Sequence, residues 1–501
     1  MSSRTRKSAW SVASGLFFIL VSVINGFFAT PWLLYWLGSE RLGAFKVLAD
    51  WVGYLTLLEV GLGGALMASL ALEVGQGAEQ AVRRTLTAGL QIYLRLTIAM
   101  IAGGAGLVLA LPYLISLETI SVYEIRVAGV ISLLTVLMTP LLVFRSLAEA
   151  RQRNYLFNLL MTAQITLATV LWLTVAWAGW GLIGLSLVAV ATQIPTALIL
   201  MWDGMKGYGG LWSTGPDQAT KKALLRLSRP TFIHGITDRI GLISDNVIIA
   251  LILGTGAVVP FYLTQQLGLV VQLLLRGFGN ATWAGLVELY SQGQTTLFRA
   301  RLMELTCTIS GLGVAFLGPI VAYNHHFIRH WVGSATYAGE AVTVIACINI
   351  WGWSIYSLWG WPLLGTGHIG RWVPYAIAST IVNVTVSVLG TLELGLIGPL
   401  LGTLTGFLVV NSWALPRVLK QTFEISPWQI LGTALTPLTW GLPYMAILWL
   451  IAQTHNPWGW FGLATEMGAA GLCGLALWWT LSLSQDARNQ WRHRIRNVLA
   501  V

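Results

Sequence analysis

The sequence predicts an all-α integral membrane protein with about fourteen transmembrane helices. These form two homologous six-helix bundles followed by two additional C-terminal helices. Of the 501 residues, 56% are hydrophobic and only 10% are charged, which is more apolar surface than one soluble core can bury. Apolar stretches of about 20 residues, long enough to cross ~30 Å of hydrocarbon, follow one another along nearly the whole chain.

The bundles are predicted from an internal repeat. Eight residues recur at a constant shift of 216 positions. They are Gly38, Phe45, Gly61, Gly63, Ala65, Ala68, Leu70 and Gly77, matched by Gly254, Phe261, Gly277, Gly279, Ala281, Ala284, Leu286 and Gly293. A second echo relates Gly181-Leu182-Ile183-Gly184 to Gly395-Leu396-Ile397-Gly398 at a shift of 214. Duplicated bundles are typical of transporters, whose substrate path lies where the repeats meet.

The predicted spans follow in chain order. The first lobe contains 10–37, 42–73, 82–115, 122–148, 156–179 and 182–203. The second lobe contains 226–253, 258–290, 298–327, 337–365, 372–393 and 396–419, and the two additional helices cover 428–452 and 460–483. The predicted domains are an N-terminal lobe (1–203), a cytoplasmic linker (204–225), a C-terminal lobe (226–420), two additional helices (421–484) and a basic cytoplasmic tail (485–501).

The charge distribution predicts the orientation of the chain. The net charge is +10, and most of the 29 lysines and arginines lie in segments on the same side as the N-terminus. Because positive loops stay in the cytoplasm, both termini are predicted to be cytoplasmic. These charges are scattered singly around lipid-facing loops, which argues against nucleic-acid binding. The sequence has no phosphate-binding loop and no zinc-ligand spacing, so we expect no cofactor, no metal and no enzymatic activity.

Polar residues inside the predicted spans mark a candidate substrate cavity. A charged side chain at mid-bilayer costs roughly 2.5 to 3.5 kcal/mol or more, so such residues face protein or water. Those on the first two helices of each repeat share helical faces. The predicted cavity residues are Asn25, Lys46, Asp50, Arg239, Gln265, Gln272 and Arg276, and the predicted ion-coupling residues are Asp238 and Asp245. The alternative is that these charges pair with one another only to permit folding.

A cationic cluster follows the fourth span. Arg145, Arg151 and Arg153 would lie at the inner rim of the membrane, close to Glu149. They are predicted to receive an anionic lipid headgroup. The alternative is that they extend to the interface and only set the topology.

Several motifs resemble those of a known family. Residues 31–38 (Pro-Trp-Leu-Leu-Tyr-Trp-Leu-Gly), Gly43 and residues 59–63 (Glu-Val-Gly-Leu-Gly) look like the opening of bacterial polysaccharide-biosynthesis flippases. The Gly-Leu-Ile-Gly motifs at 181 and 395 are similar to the starts of the sixth and twelfth helices in that family. The layout of six, six and two helices also matches. The chain thus resembles the O-antigen flippase family of the multidrug/oligosaccharidyl-lipid/polysaccharide (MOP) exporter superfamily.

The resemblance implies a function and a location. Members move an undecaprenyl-pyrophosphate-linked oligosaccharide from the inner to the outer leaflet of the bacterial cytoplasmic membrane, for polysaccharide or O-antigen biosynthesis, by alternating access. The implied partners are this lipid-linked oligosaccharide, membrane lipids, a polysaccharide polymerase and glycosyltransferases. Lys46 and Arg276 are candidates for binding the diphosphate, and Asp238 and Asp245 are candidates for proton or sodium coupling.

Other functions stay open at this stage. Within the same superfamily they are a cation-coupled multidrug or metabolite antiporter and a lipid II flippase. Lipid II flippases have several cavity arginines in the first, second and eighth helices, and only Arg276 and Lys46 match that pattern here. A membrane glycosyltransferase or polymerase and a non-catalytic scaffold of polysaccharide assembly are alternatives from other classes.

Overall fold

The computed structural model describes residues 3–59, 61–208 and 217–483, together with 485, 488, 489 and 492. These described residues are almost entirely helical and contain no β-strand. Eleven of the described helices are long and apolar enough to cross a membrane. The prediction of an all-α, multi-pass membrane protein is therefore confirmed.

The number of helices differs from the number of predicted spans because some helices are longer than one span. The continuous helical segment Val373–Phe423 runs through two predicted spans, and the segment Trp10–Leu55 contains the first predicted span and the start of the second. Within these segments the backbone departs from α-helical geometry at Gly38 and at Gly395–Ile397, which is where the predicted spans are separated. The predicted seventh span lies within the helix Gln218–Leu253, and the described side chains of this helix form an apolar stretch over Ser244–Leu253.

The chain divides into two compact units, Met1–Val259 and Pro260–Val501. The helices of the first unit are α1 (Ser3–Leu55), α2 (Leu62–Gly75), α3 (Glu79–Leu114), α4 (Val122–Leu133), α5 (Leu142–Ala150), α6 (Asn154–Trp177), α7 (Gly181–Gly207) and α8 (Gln218–Leu253). Those that follow are α9 (Val258–Ser291), α10 (Thr295–Trp331), α11 (Glu340–Gly365), α12 (Val373–Leu394), α13 (Gly398–Gly406), α14 (Ser412–Phe423), α15 (Pro427–Leu435), α16 (Leu438–Thr454) and α17 (Gly459–Leu477).

Helix α8 is the element that the sequence and the structure group differently. The sequence assigns residues 226–253 to the second lobe, whereas α8 packs against α1, α2 and α3 within the first unit. The predicted domain boundaries at 203, 225, 420 and 484 stay predictions.

Helix α1 organises the first unit. It is kinked at Gly38, whose φ of 76° and ψ of 171° fall in a region that is essentially restricted to glycine. Beyond the kink, a Cβ atom at Gly43 would lie 1.9 Å from the backbone oxygen of Thr255. The absence of a side chain at Gly43 therefore allows α1 to cross the turn after α8 at backbone contact.

Helix α10 organises the second unit. Most of its apolar, membrane-spanning stretch is buried inside the protein, and it contacts α11, α15, α16 and α17. A Cβ atom at Gly318 would lie 2.4 Å from the Tyr444 ring. The Tyr444 hydroxyl donates to the Ala470 carbonyl at 2.8 Å and lies 3.2 Å from the Ala315 carbonyl. Small residues on α10 thus allow the last two helices to pack closely against it.

Candidate functional site

A polar cluster joins α1 to α8 within the first unit. The amide Nδ2 of Asn246 donates a hydrogen bond of 2.8 Å to Oδ2 of Asp50. Lys46 lies one helical turn before Asp50 and interacts with it electrostatically. The sequence-predicted pair of Lys46 and Asp50 is thus linked to a helix almost 200 positions further along the chain.

Asp245 belongs to the same cluster. Its carboxylate interacts electrostatically with that of Asp50, and Tyr54 interacts with both carboxylates. The Oδ1 atom of Asp245 is buried and makes no hydrogen bond of normal geometry with a described residue, and the Ser244 side chain interacts with this carboxylate. Because a buried oxygen without a hydrogen bond of normal geometry is costly, this carboxylate is poised to accept a hydrogen bond or to bind a cation. We define Lys46, Asp50, Tyr54, Asp245 and Asn246 as the α1–α8 cluster.

A second charged group lies near the break between α1 and α2. Glu59 is in this break and has the Tyr93 hydroxyl as its hydrogen-bond partner. Arg145 and Arg239 both interact electrostatically with Glu59. Arg239 is therefore coupled electrostatically to Glu59.

The three predicted rim arginines have partners on α5 and α7. Arg145 Nε donates to Glu149 at 3.1 Å, and its guanidinium lies 4.4 Å from the centre of the Phe157 ring. Arg151 and Arg153 both pair with Asp203, at 3.4 Å and 2.6 Å. These pairs connect the turn after α5 to the end of α7. Binding of a lipid headgroup by these arginines stays a prediction.

Asn25 faces a different neighbour. Its Nδ2 donates to the hydroxyl of Thr166 on α6 at 3.3 Å. Along the same interface, Asn158 Nδ2 donates to the backbone oxygen of Ser11 and to the Ser14 hydroxyl, both at 3.1 Å. Asn25 therefore takes part in packing α1 against α6.

The remaining predicted residues lie on α8 and α9. Gln265, Gln272 and Arg276 are half-buried along α9 in the second unit. Gln265 Nε2 donates to the Phe261 carbonyl at 3.2 Å. The side chain of Asp238 lies outside the described residues. The roles assigned to all nine cavity and coupling residues stay predictions.

Sequence reasoning missed three members of these clusters. Tyr54 and Asn246 complete the α1–α8 cluster, and Tyr93 bonds to Glu59. Tyr54 could have been found from the sequence, because residues 46, 50 and 54 are four positions apart and therefore lie on one face of a helix. Asn246 and Tyr93 had none, because their partners are far away in the sequence.

Two of the three histidines of α10 contact backbone carbonyls. His326 Nε2 lies 3.2 Å from the Ala452 carbonyl, and His330 Nδ1 lies 2.7 Å from the His326 carbonyl. The described part of the chain contains no group of three or more His, Cys, Asp or Glu residues that could hold a metal ion.

Comparison with known proteins gives results only at the level of structure. No protein-family model matches the sequence, and a search of curated proteins finds no match. Among solved structures, the lipid II flippase MurJ in an inward closed conformation has a TM-score of 0.69 at 14% identity, covering 92% of this chain and 98% of that chain.

Two further structures show the same fold. An inward-facing multidrug resistance MATE family transporter of the MOP superfamily has a TM-score of 0.57 at 14% identity, covering 88% of this chain and 95% of that chain. A MOP superfamily transporter from Pyrococcus furiosus, described as having a binding pocket of reverse polarity, has a TM-score of 0.58 at 13% identity, covering 87% and 96%. The chain therefore has the fold of MOP superfamily transporters.

Proposed function

We propose that the protein is a flippase that moves an undecaprenyl-pyrophosphate-linked oligosaccharide from the inner to the outer leaflet of the bacterial cytoplasmic membrane, for polysaccharide or O-antigen biosynthesis. The observation that carries this proposal is the α1–α8 cluster, in which Lys46, Asp50 and Asp245 lie on helices of a membrane protein. Ionisable residues at such positions are expensive and typically mark a substrate or ion path.

The chemistry of the substrate explains why such a path is needed. A lipid-linked glycan cannot cross hydrocarbon unaided, because its hydroxyls and its diphosphate would lose their water. The α1–α8 cluster offers an ammonium, two carboxylates, an amide and a phenol. Sugar hydroxyls both donate and accept hydrogen bonds, so this mixed set can replace water around them. Lys46 and Arg276 are the proposed ligands of the diphosphate.

The comparisons support a flippase. Among the structures compared, the one described as a flippase has a higher TM-score than the MATE transporters. In the proposed mechanism the two lobes rock between an inward-open and an outward-open state, while the prenyl tail stays in the lipid. With both termini in the cytoplasm, glycosyltransferases would supply the substrate inside, and a polymerase would consume it outside.

A cation-coupled antiporter is the second candidate, and one observation favours it. The carboxylates of Asp50 and Asp245 are close enough to interact, and one Asp245 oxygen makes no hydrogen bond of normal geometry with a described residue. A pair of neighbouring intramembrane carboxylates is suited to binding a proton or a metal cation. This observation is also compatible with a flippase whose transport is coupled to an ion gradient.

The test is a deletion strain complemented with variants. We expect the deletion to lose surface polysaccharide and to accumulate lipid-linked glycan in the inner leaflet. Lys46→Ala and Arg276→Ala should lower export at least tenfold, because the diphosphate would lose a cationic ligand. Lys206→Ala is the matched control, since the Lys206 ammonium lies over the exposed Trp202 ring, 3.3 Å from its centre.

The result also separates the two candidates. Unchanged polysaccharide in the deletion strain, together with greater sensitivity to cationic dyes, would identify an antiporter instead. If Arg276→Ala and Asp245→Asn both left glycan export intact, the cavity assignment would be wrong even if the deletion phenotype held.

A further inference from the structure

A pocket of about 460 Å³ lies where α1, α4, α6 and α7 meet in the first unit. Its lining includes Trp36, Arg41, Glu124, Gly179, Trp180 and Gly181. The volume falls within the range of about 300 to 1,000 Å³ that is common for small-molecule sites. None of these residues belongs to the α1–α8 cluster or to the predicted cavity.

An ion pair between Arg41 and Glu124 lines the pocket. Arg41 donates to Glu124 through two bonds, Nε to Oε1 at 3.0 Å and Nη2 to Oε2 at 3.2 Å. The Leu182 backbone N–H also donates to Glu124 Oε1, at 3.0 Å. A bidentate pair held by a backbone donor is geometrically well defined. Nη1 of Arg41 has no hydrogen-bond partner among the described residues, and both side chains are partly exposed, at 33% and 15%.

A glycine turn places Trp180 next to the ion pair of Arg41 and Glu124. Gly179 and Gly181 have φ values of 76° and 56°, so the turn between α6 and α7 needs glycine at both positions. A Cβ atom at Gly181 would lie 2.6 Å from Glu124 Oε1. Trp180, between the two glycines, is thereby presented beside the carboxylate.

Two of the residues that line the pocket are tryptophans, Trp36 and Trp180. Trp180 is 60% exposed, so its ring is available to a ligand. Trp36 is half-buried and stacks on Trp32 with ring centres 5.5 Å apart and planes inclined by 29°. This stacking restrains the Trp36 ring.

The charges exclude an anion as the natural occupant. Glu124 neutralises Arg41, and Glu40 also interacts electrostatically with Arg41. A phosphate or carboxylate would therefore meet no net positive charge. A neutral ligand that has an apolar face and many hydroxyls matches both the tryptophan rings and the ion pair of the pocket. Its C–H face packs on indole rings, and its hydroxyls bond to the carboxylate and the remaining guanidinium N–H groups.

The pocket lies at the end of the first unit opposite to the basic rim. Helix α6 starts beside Arg153 and ends at Trp177, and α7 returns from Gly181 to Gly207. Arg151 and Arg153 pair with Asp203 at the far end of these two helices. Since the basic end is the predicted cytoplasmic side, the pocket faces the other side of the membrane.

We propose that this pocket is a saccharide-binding subsite, which holds a neutral sugar unit of the translocated glycan at the outer face. The assignment of the glycan rests on the proposed function. The binding of a saccharide does not depend on the proposed function, because all the residues that line the pocket belong to the first unit.

The test measures binding of free sugars to the purified full-length protein in lipid nanodiscs by saturation-transfer difference NMR. The probes are N-acetylglucosamine, galactose and rhamnose, with glycerophosphoethanolamine as a lipid-headgroup probe. We expect at least one sugar to bind, Trp180→Ala to reduce its signal at least fivefold, and Trp180→Phe to retain it. Trp177→Ala is the matched control, because Trp177 is 73% exposed at the end of α6, just before the turn that contains Trp180, and does not line the pocket.

The outcomes separate the possible errors. Binding of none of the three sugars, equal loss in Trp177→Ala and Trp180→Ala, or binding of glycerophosphoethanolamine alone would overturn the subsite. Normal sugar binding by a protein whose deletion leaves glycan export unchanged would retain the subsite and reject the proposed function.

Discussion

Gly38 and Gly254, 216 positions apart, have nearly the same unusual backbone conformation, with φ/ψ of 76°/171° and 89°/163°. Gly77 and Gly293 also agree, with φ of 68° and 73°, as do Gly181 and Gly395, with φ of 56° and 63°. Positive φ favours glycine because other residues carry a Cβ atom. These three pairs of recurring glycines thus mark equivalent turns in the backbone.

One glycine pair departs from this equivalence. Gly61 has a φ of 91° just before α2, whereas Gly277 lies inside the continuous helix α9. Two residues earlier, Glu59 is in the break of the first copy, and its counterpart Leu275 is 2% exposed in an apolar core. The two copies therefore differ where the first carries a charged group.

The glycine turns lead to a stability prediction. Gly38→Ala and Gly254→Ala should each lower the free energy of unfolding by about 1 to 3 kcal/mol, because alanine is strained at these φ/ψ values. Gly26→Ala is the control, since Gly26 is helical and has no atom within 4 Å of a Cβ position. Thermal unfolding in detergent would measure all three. Equal midpoints for Gly26→Ala and Gly38→Ala would contradict the prediction.

The crossing of α1 over the turn after α8 leads to a second prediction. In Gly43→Ala the new methyl group would collide with the Thr255 carbonyl, since a backbone atom cannot rotate away. Overpacking of this kind costs about 1 to 3 kcal/mol. We expect a lower unfolding temperature and less glycan export. Gly64→Ala, where a Cβ would meet nothing within 4 Å, should change neither measurement. A wild-type unfolding temperature for Gly43→Ala would show that α1 and the turn do not approach so closely.

The α1–α8 cluster predicts opposite effects on stability and on function. Asp245→Asn removes a carboxylate that interacts unfavourably with Asp50 and has a buried oxygen without a hydrogen bond of normal geometry to a described residue. We expect an unfolding temperature equal to or above that of the wild type, because relief of like-charge repulsion offsets any loss of packing. Export should fall at least tenfold if the charge belongs to the transport path. A variant that is less stable but transports normally would indicate a purely structural carboxylate.

The rim arginines can be tested through their common partner. In Asp203→Asn, Arg151 and Arg153 lose their carboxylate, so binding of an anionic lipid such as cardiolipin should increase. In Arg151→Gln with Arg153→Gln, cardiolipin binding should fall below that of the wild type. Native mass spectrometry would count the bound lipids. Asp217→Asn is the control, because Asp217 caps α8 through the Ala219 N–H at 3.0 Å. Identical lipid counts in all four proteins would rule out a headgroup site at this rim.

The fold class and the repeat could be predicted from the sequence because both depend on one-dimensional regularities. Apolar runs of membrane-spanning length indicate helices, and three of the recurring glycine pairs lie where the backbone has positive φ in both copies. The pairing of Lys46 with Asp50 was also accessible, since one helical turn separates them.

The partners of those residues could not be predicted. Asn246 bonds to Asp50, which is 196 positions away in the sequence. The sequence separation is 141 positions for Thr166 and Asn25, and 83 positions for Glu124 and Arg41. Such contacts depend on how helices pack, and a helical pattern does not specify its neighbour. The grouping of α8 with α1, α2 and α3 likewise follows from close packing, which is possible at Gly43 because it has no side chain.

The sequence by itself determined that this chain is a helical, multi-pass membrane protein with recurring glycines and a few charges on its spans, because hydrophobic length and residue spacing can be read along one chain. Only the tertiary structure decided that Asp50, Asp245 and Asn246 form one cluster, that Arg151 and Arg153 share Asp203, and that the ion pair of Arg41 and Glu124 lines a pocket. The physical reason is that each cluster joins parts of the chain that are far apart in sequence, and only helix packing brings their side chains within bonding distance.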